Sequence, residues 1–437
     1  MPKFRAQILW IMIALLAASP LAALAVPADE PVTLSLLRLL EEARRANPEL
    51  LAARKRWEAA QARVPMARGF PAPKIGVEWE SIPRGTVKLN KAEAMYSLVQ
   101  SLPFPGKLSL RHQVALSEAQ MAAAGFKQAE WDVTTMLKTT YYDLFLLDRE
   151  VELQRQQQVW FDQAVATARA RYETGAASQT EFLRAQGEAL QAATQVTVLT
   201  HRRQAMGAHL NHLLNRPAHG AIGSPAPVEL LPVPSSPEQL LQQAEQSQPE
   251  LAVFRAASER AGHAWRLAKR ELWPDLETML ELRNPAMGPI GPWDLSLALV
   301  LPFWFWTKQH YGVKAALADK ESAEAAYQAV RNEIARRIHE HWHEAAASSE
   351  TVALCRDHLL PLAEQAVASA LAAYQSGQGP YADVLMALQQ WSQQHRTYYE
   401  HLVSLEQHVV LLEQDVGVPL RPAHHDTASM SDKGVTP

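Results

Sequence analysis

The chain has a single cysteine, Cys355. That excludes an intrachain disulfide framework. No cysteine lies just after the N-terminal leader, so a lipid-bearing cysteine at a processed N-terminus is not expected. Beyond the leader there is no run of 18 apolar residues. The longest approach, Leu295 to Trp306, contains Ser296 and Pro302, so no spanning helix is expected. Positive charge is not in excess either: the formal net charge is −4. A nucleic-acid partner, which wants a basic face, is not expected. Proline is missing from two long stretches, Gly106 to Tyr172 and Thr307 to Leu360. Each can hold one very long helix.

The first 25 residues read as a secretory leader. Lys3 and Arg5 begin it, Ile8 to Leu16 form an apolar segment, and Ala23-Leu24-Ala25 is a small-residue cleavage site. An exported protein is expected. Cys355 sits on an apolar stripe with Val352, Leu359 and Leu362 and reads as a small buried hydrophobe.

The chain also repeats itself, with matching segments roughly 200 residues apart. Asn47-Pro48-Glu49-Leu50 returns as Gln248-Pro249-Glu250-Leu251. Leu102-Pro103-Phe104 returns as Leu301-Pro302-Phe303. Tyr172-Glu173-Thr174-Gly175 returns as Tyr374-Gln375-Ser376-Gly377, and Leu183 and Pro217 return as Leu385 and Pro419. The expected organisation is a leader (1–25), a first repeat (26–217), a proline-rich strap (218–236), a second repeat (237–419) and a disordered polar tail (420–437).

Each repeat reads as a short helix, two strands, a long helix and a short helix. The first short helix is expected over about 32–69, with Thr33 as its N-cap and a break at Pro48. Lys74 to Glu80 alternates polar and apolar, as do Leu276 to Leu282 and Trp293 to Leu299. Strands are expected over about 73–82, 94–102, 275–283 and 293–301. Val133, Leu137, Thr140, Leu144, Leu147 and Val151 step by fours and threes, a coiled-coil seam. The second long helix is expected to be interrupted only at Pro361. The apolar strand faces suit lipid, with Trp79 and Trp293 at an interface. Four strands cannot close a barrel, and open edges are not tolerated in lipid, so several chains must pool theirs.

On these motifs, together with Gln100-Ser101-Leu102-Pro103-Phe104-Pro105-Gly106-Lys107 and Asp383-Val384-Leu385, the mature chain resembles the TolC-type outer-membrane efflux channels in both copies. The Leu-Pro-Phe-Pro-Gly-Lys run is most similar to the heavy-metal branch, the CzcC and CusC type. The resemblance implies a mainly α fold with a small β-barrel contribution. It implies a homotrimer whose 12-stranded barrel sits in outer-membrane lipid above a periplasmic helical tunnel. It also implies a periplasmic adaptor and an inner-membrane pump of the resistance-nodulation-division type as partners. The channel would export heavy-metal cations passively, without a cofactor or covalent chemistry.

The resemblance also assigns sites. The adaptor would meet the helix turns at Tyr172, Gly175, Glu181, Leu183, Tyr374, Gly377 and Leu385. Asp383 would be a periplasmic gate residue. Known gates have a second acid where this chain has Met386. A first-turn acid favoured by the helix dipole is the other reading of Asp383.

His339-Glu340-His341-Trp342-His343 fits the zinc-protease pattern, with His339 and His343 on one helix face. A catalytic site needs a third ligand and a cleft, so the run reads as a polar face of a long rod. His339 and His343 are kept as candidate metal contacts, and His424-His425-Asp426 as a solvated tail. The rival reading of the whole chain is a periplasmic coiled-coil adaptor; a zinc protease rests on the histidine run alone.

Overall fold

The computed structural model describes residues 33–80, 93–233, 236–284 and 292–421. The leader, residues 81–92 and 285–291, and the C-terminal residues from 422 on, with His424 and His425, lie outside the described residues.

The Asn-Pro-Glu-Leu repeat is a helix start. In α1 (Leu36–Ala46) and α2 (Pro48–Met66) the chain breaks once, at Asn47. The Asn47 side chain accepts from the N–H groups of Glu49 (2.8 Å) and Leu50 (3.3 Å). Pro48 occupies the first turn, where its missing N–H costs nothing, and Glu49 meets the positive end of the dipole. Thr33 is not the N-cap. It pairs with Ser224 in a two-stranded parallel ladder, β1 (Thr33–Leu34) with β4 (Ser224–Pro225), and Ser35 takes the cap position.

Strands β2 (Lys74–Glu80) and β3 (Glu93–Leu102) lead into α3, a single helix from Lys107 to Glu173. At about 1.5 Å per residue it is about 100 Å long. After a tight turn α4 (Gln179–Leu213) runs back along its far half, while α2 lies along the near half. Asn47 Nδ2 donates to the carbonyl of Leu213 at 2.9 Å, fastening the two short helices end to end.

The second repeat follows the same course. It comprises α5 (Pro237–Ser247), α6 (Pro249–Arg270), β5 (Asp275–Asn284), β6 (Trp293–Val300), α7 (His310–Leu354), α8 (Leu360–Gln375) and α9 (Tyr381–Val416). Gln248 caps α6 as Asn47 caps α2, with its side chain accepting from the N–H groups of Glu250 and Leu251. The helix ends abut more closely here. Gly417 has φ +78°, and a Cβ on it would fall 2.7 Å from the carbonyl oxygen of Ser247.

The second rod is not interrupted at Pro361. A π-turn over Cys355–Leu359 joins α7 to α8, and Pro361 enters within the first turn of α8. The widened turn relieves the clash between the proline ring and the preceding carbonyl, so the rod continues. A second π-turn, Phe305–Gln309, opens the rod.

The strap 218–236 is more than a tether. Ile222, Val228 and Leu230 pack against the core built by α1, α3, α4 and α9. Leu420 and Arg421, expected to belong to the tail, are held against the second repeat and the strap. The Arg421 guanidinium pairs with buried Glu406 and donates to the carbonyls of Leu231 (2.9 Å) and Pro232 (3.1 Å). The N–H of Leu420 donates to buried Glu413 at 3.0 Å, and Lys138 pairs with the same carboxylate. Two buried acids therefore anchor the end of the second repeat.

Candidate functional site

The strands form one antiparallel sheet in the order β2-β3-β5-β6. Residues directly opposite share a face. Ile75, Leu98, Leu280 and Leu295 form one row; Val77, Tyr96, Leu282 and Trp293 form the next. The other face carries the row Gly76, Ser97, Glu281 and Asp294. One face is thus apolar across all four strands, and it is open: Leu295 is 70% exposed and Ile75 82%. Among the described residues, both outer strands, β2 and β6, have unpaired edges.

Trp79 and Trp293 stand at the loop end of this face, both exposed. The helix end carries a second aromatic belt that the alternation pattern did not reveal. Phe303, Trp304, Phe305 and Trp306 are all exposed and touch one another edge-on, and Trp273 stacks on Phe104 at 5.0 Å. Ten positions along the chain separate Trp293 from Phe303, with strand β6 covering the stretch from Trp293 to Val300, about 33 Å at full extension. Tilted, that spans the apolar band of about 25 Å expected of a barrel. The signal was the run of four aromatics after Pro302.

At the far end the two hairpins meet in a common core of α3, α4, α8 and α9, with Trp160 edge-on to Trp391 at 4.5 Å. Gly175 (φ +74°) and Gly377 (φ +76°) make equivalent left-handed turns. The residues expected to dock an adaptor separate into two groups. Leu183 is 54% exposed, and exposed Tyr172 stacks on Phe182. Tyr374 and Leu385 are 1% and 4% exposed, so neither presents a docking surface. They face inward because the two hairpins close their core over them.

Tyr374 has a different task. Its hydroxyl donates to Glu181 Oε1 at 2.8 Å, and the Arg171 guanidinium lies 4.9 Å above its ring while donating to its carbonyl at 3.0 Å. Glu181 is thereby a bridge between hairpins; its own N–H donates to Ser178 Oγ at 3.2 Å. Burial raises the Tyr374 phenol above its ordinary value, and the Glu181 hydrogen bond raises it further. Asp383 lies in the first turn of α9, exposed, three residues before Met386, which is 60% exposed. The two share one outward face.

The histidine run lies in α7. His339 and His343 are exposed, and Glu340 is paired with Arg336. Among the described residues no group of three or more His, Cys, Asp or Glu is arranged to hold a metal. The protease geometry is therefore not assembled there. His341, between the two candidates, is the one turned toward partners: His408 on α9 and Asp415. Among the described residues no helix is long and apolar enough to cross a membrane.

The model of a family described as outer membrane efflux protein matches residues 39–216 and again residues 240–418. The chain is 21% identical over 361 residues to the cobalt-zinc-cadmium resistance protein CzcC of Cupriavidus metallidurans, covering 83% of this chain and 84% of that one. Its fold is shared with the outer membrane protein VceC of Vibrio cholerae (TM-score 0.76, 19% identity, 88% of this chain and 97% of that one). It is shared equally with CusC, for which transmembrane channel formation has been described (TM-score 0.76, 14% identity, 89% and 93%). With both repeats matched and the fold of solved outer-membrane channels in place, the chain belongs to the outer membrane efflux protein family.

Proposed function

We propose that three copies of this chain form a passive export duct, with the two tandem repeats (26–217 and 237–419) joined by the strap at 218–236. The observation that carries this is the sheet: a largely apolar face that crosses all four strands, an opposite face that carries Glu281, Asp294 and Ser296, and two open edges. In lipid each edge must be paired, and β6 of one copy beside β2 of the next does so. Three copies give 12 strands around a polar lumen. The duct sits in the outer membrane of a Gram-negative bacterium, and its helices extend into the periplasm.

Below the barrel the paired rods wall a tunnel that ends at the Gly175 and Gly377 turns. Tyr172 and Leu183, exposed beside these turns, offer apolar anchors to a periplasmic adaptor. The adaptor links the duct to an inner-membrane pump of the resistance-nodulation-division type, which supplies the energy. Asp383, three times repeated around the opening, attracts cations there. The chain itself performs no covalent step. Heavy-metal cations are the cargo best supported, through the similarity to CzcC.

The test is functional. A cell that keeps its pump and adaptor but lacks this chain should lose tolerance to cobalt, zinc or cadmium and regain it on complementation. Unchanged tolerance to all three would reject metal cargo. In planar bilayers Asp383→Ala should weaken cation selectivity; no change would remove Asp383 from the gate.

A further inference from the structure

His341 on α7 and His408 on α9 face each other with Nδ1 to Nδ1 at 3.3 Å. Their ring centroids are 5.5 Å apart. Two N–H groups cannot point at each other at that separation. Either one nitrogen donates to the other, or both offer lone pairs to a cation. Two imidazole ligands on a tetrahedral metal, each at about 2.0–2.1 Å, are about 3.3–3.4 Å apart. The observed separation matches that bite as well as it matches an N–H···N hydrogen bond, and the two rings come from different helices.

The far edge of His341 favours the same state. Its Nε2 lies 3.6 Å from Asp415 Oδ2, an oxygen without a hydrogen-bond partner. An acceptor facing that edge favours the tautomer with the proton on Nε2 and the lone pair on Nδ1, an orientation common among metal-bound histidines. Glu340 and Glu344 lie near His408 on the α7 side. Of the nearby cations, Arg337 is matched by Asp415 at 2.9 Å and Glu250 at 2.7 Å, and Arg336 by Glu333 and Glu340. His341, though not His408, lines a cleft of about 340 Å³ that also carries Asp132, Glu250, Arg337 and Asp415.

We propose that His341 and His408 form a binding site for a divalent transition-metal cation of the zinc or cobalt class. The chain supplies two ligands, since no third His, Cys, Asp or Glu joins them among the described residues. Water completes the shell, so the ion exchanges readily rather than being locked in. The bound cation ties α7 to α9. The site does not depend on what the duct exports.

The test uses the full-length protein in detergent, stripped with chelator and titrated with Co²⁺ alone at pH 7.5. One Co²⁺ per chain should bind, with visible d–d absorption. His341→Gln and His408→Gln should each weaken binding at least tenfold. The His339→Gln/His343→Gln and His424→Gln/His425→Gln pairs should bind like the wild type. Absence of stoichiometric binding, or binding unchanged in His341→Gln or His408→Gln, overturns the proposal. Should a variant fail to fold, X-ray absorption on the zinc-loaded wild type decides. Two imidazole ligands per zinc support the site; fewer than two refute it.

Discussion

Asp415 shows how much of this protein's chemistry is set by burial. Desolvation lifts its carboxyl from 3.8 to about 7, outweighing the attraction of Arg337, and Glu250 pushes in the same direction. Between those values the folded chain holds a proton that the unfolded chain has released. The stability tied to this group is full below 3.8 and is lost as pH rises through about 7. His341 and His408 act oppositely. Burial lowers both from 6.5, so their contribution is present above 6.5 and is lost as pH falls through the lowered values. Asp415→Asn removes only the first effect. The variant should melt higher than the wild type at pH 8 and gain less at pH 5; equal shifts at both would contradict the burial account. The sequence could not show any of this. It flagged His339 and His343 by spacing, whereas the partner of His341 lies 67 residues away on another helix. Position near a turn likewise marked Tyr374 and Leu385 without telling which way they face.

At the scale of elements, the duplicated Asn/Gln-Pro-Glu-Leu motif is a joint. It starts one helix and, through Asn47 Nδ2, holds the end of another. Asn47→Ala loses a cap and a buried hydrogen bond, together about 1–3 kcal/mol. A drop in melting temperature with the helical spectrum retained is expected; an unchanged melt would remove the joint. Helices and strands were legible because their periodicities run for many residues and proline is absent. The β1–β4 ladder was not, since two residues per strand carry no period. Nor was the π-turn before Pro361, because proline alone signals a break and not the wider turn that absorbs it.

For the whole molecule, an apolar sheet face and two aromatic belts are left uncovered by a single chain. The face decides where charge is tolerated. Leu295→Arg, on the open face, should cost about 2–4 kcal/mol near the middle of the bilayer and cut the amount of folded protein in the outer membrane. Ser296→Arg, on the polar face, should leave that amount unchanged. Equal loss in both would mean that the face does not meet lipid. This alternation was readable in the sequence; the number of chains that share the sheet is a statement about edges, which only the strand order displays.

The central claim is that each chain supplies a third of a closed barrel. The most direct measurement is the detergent-corrected native mass of the protein extracted from outer membranes. Three chains per particle is the predicted result. A monomer in detergent, or a protein that leaves the membrane on a carbonate wash, would contradict it.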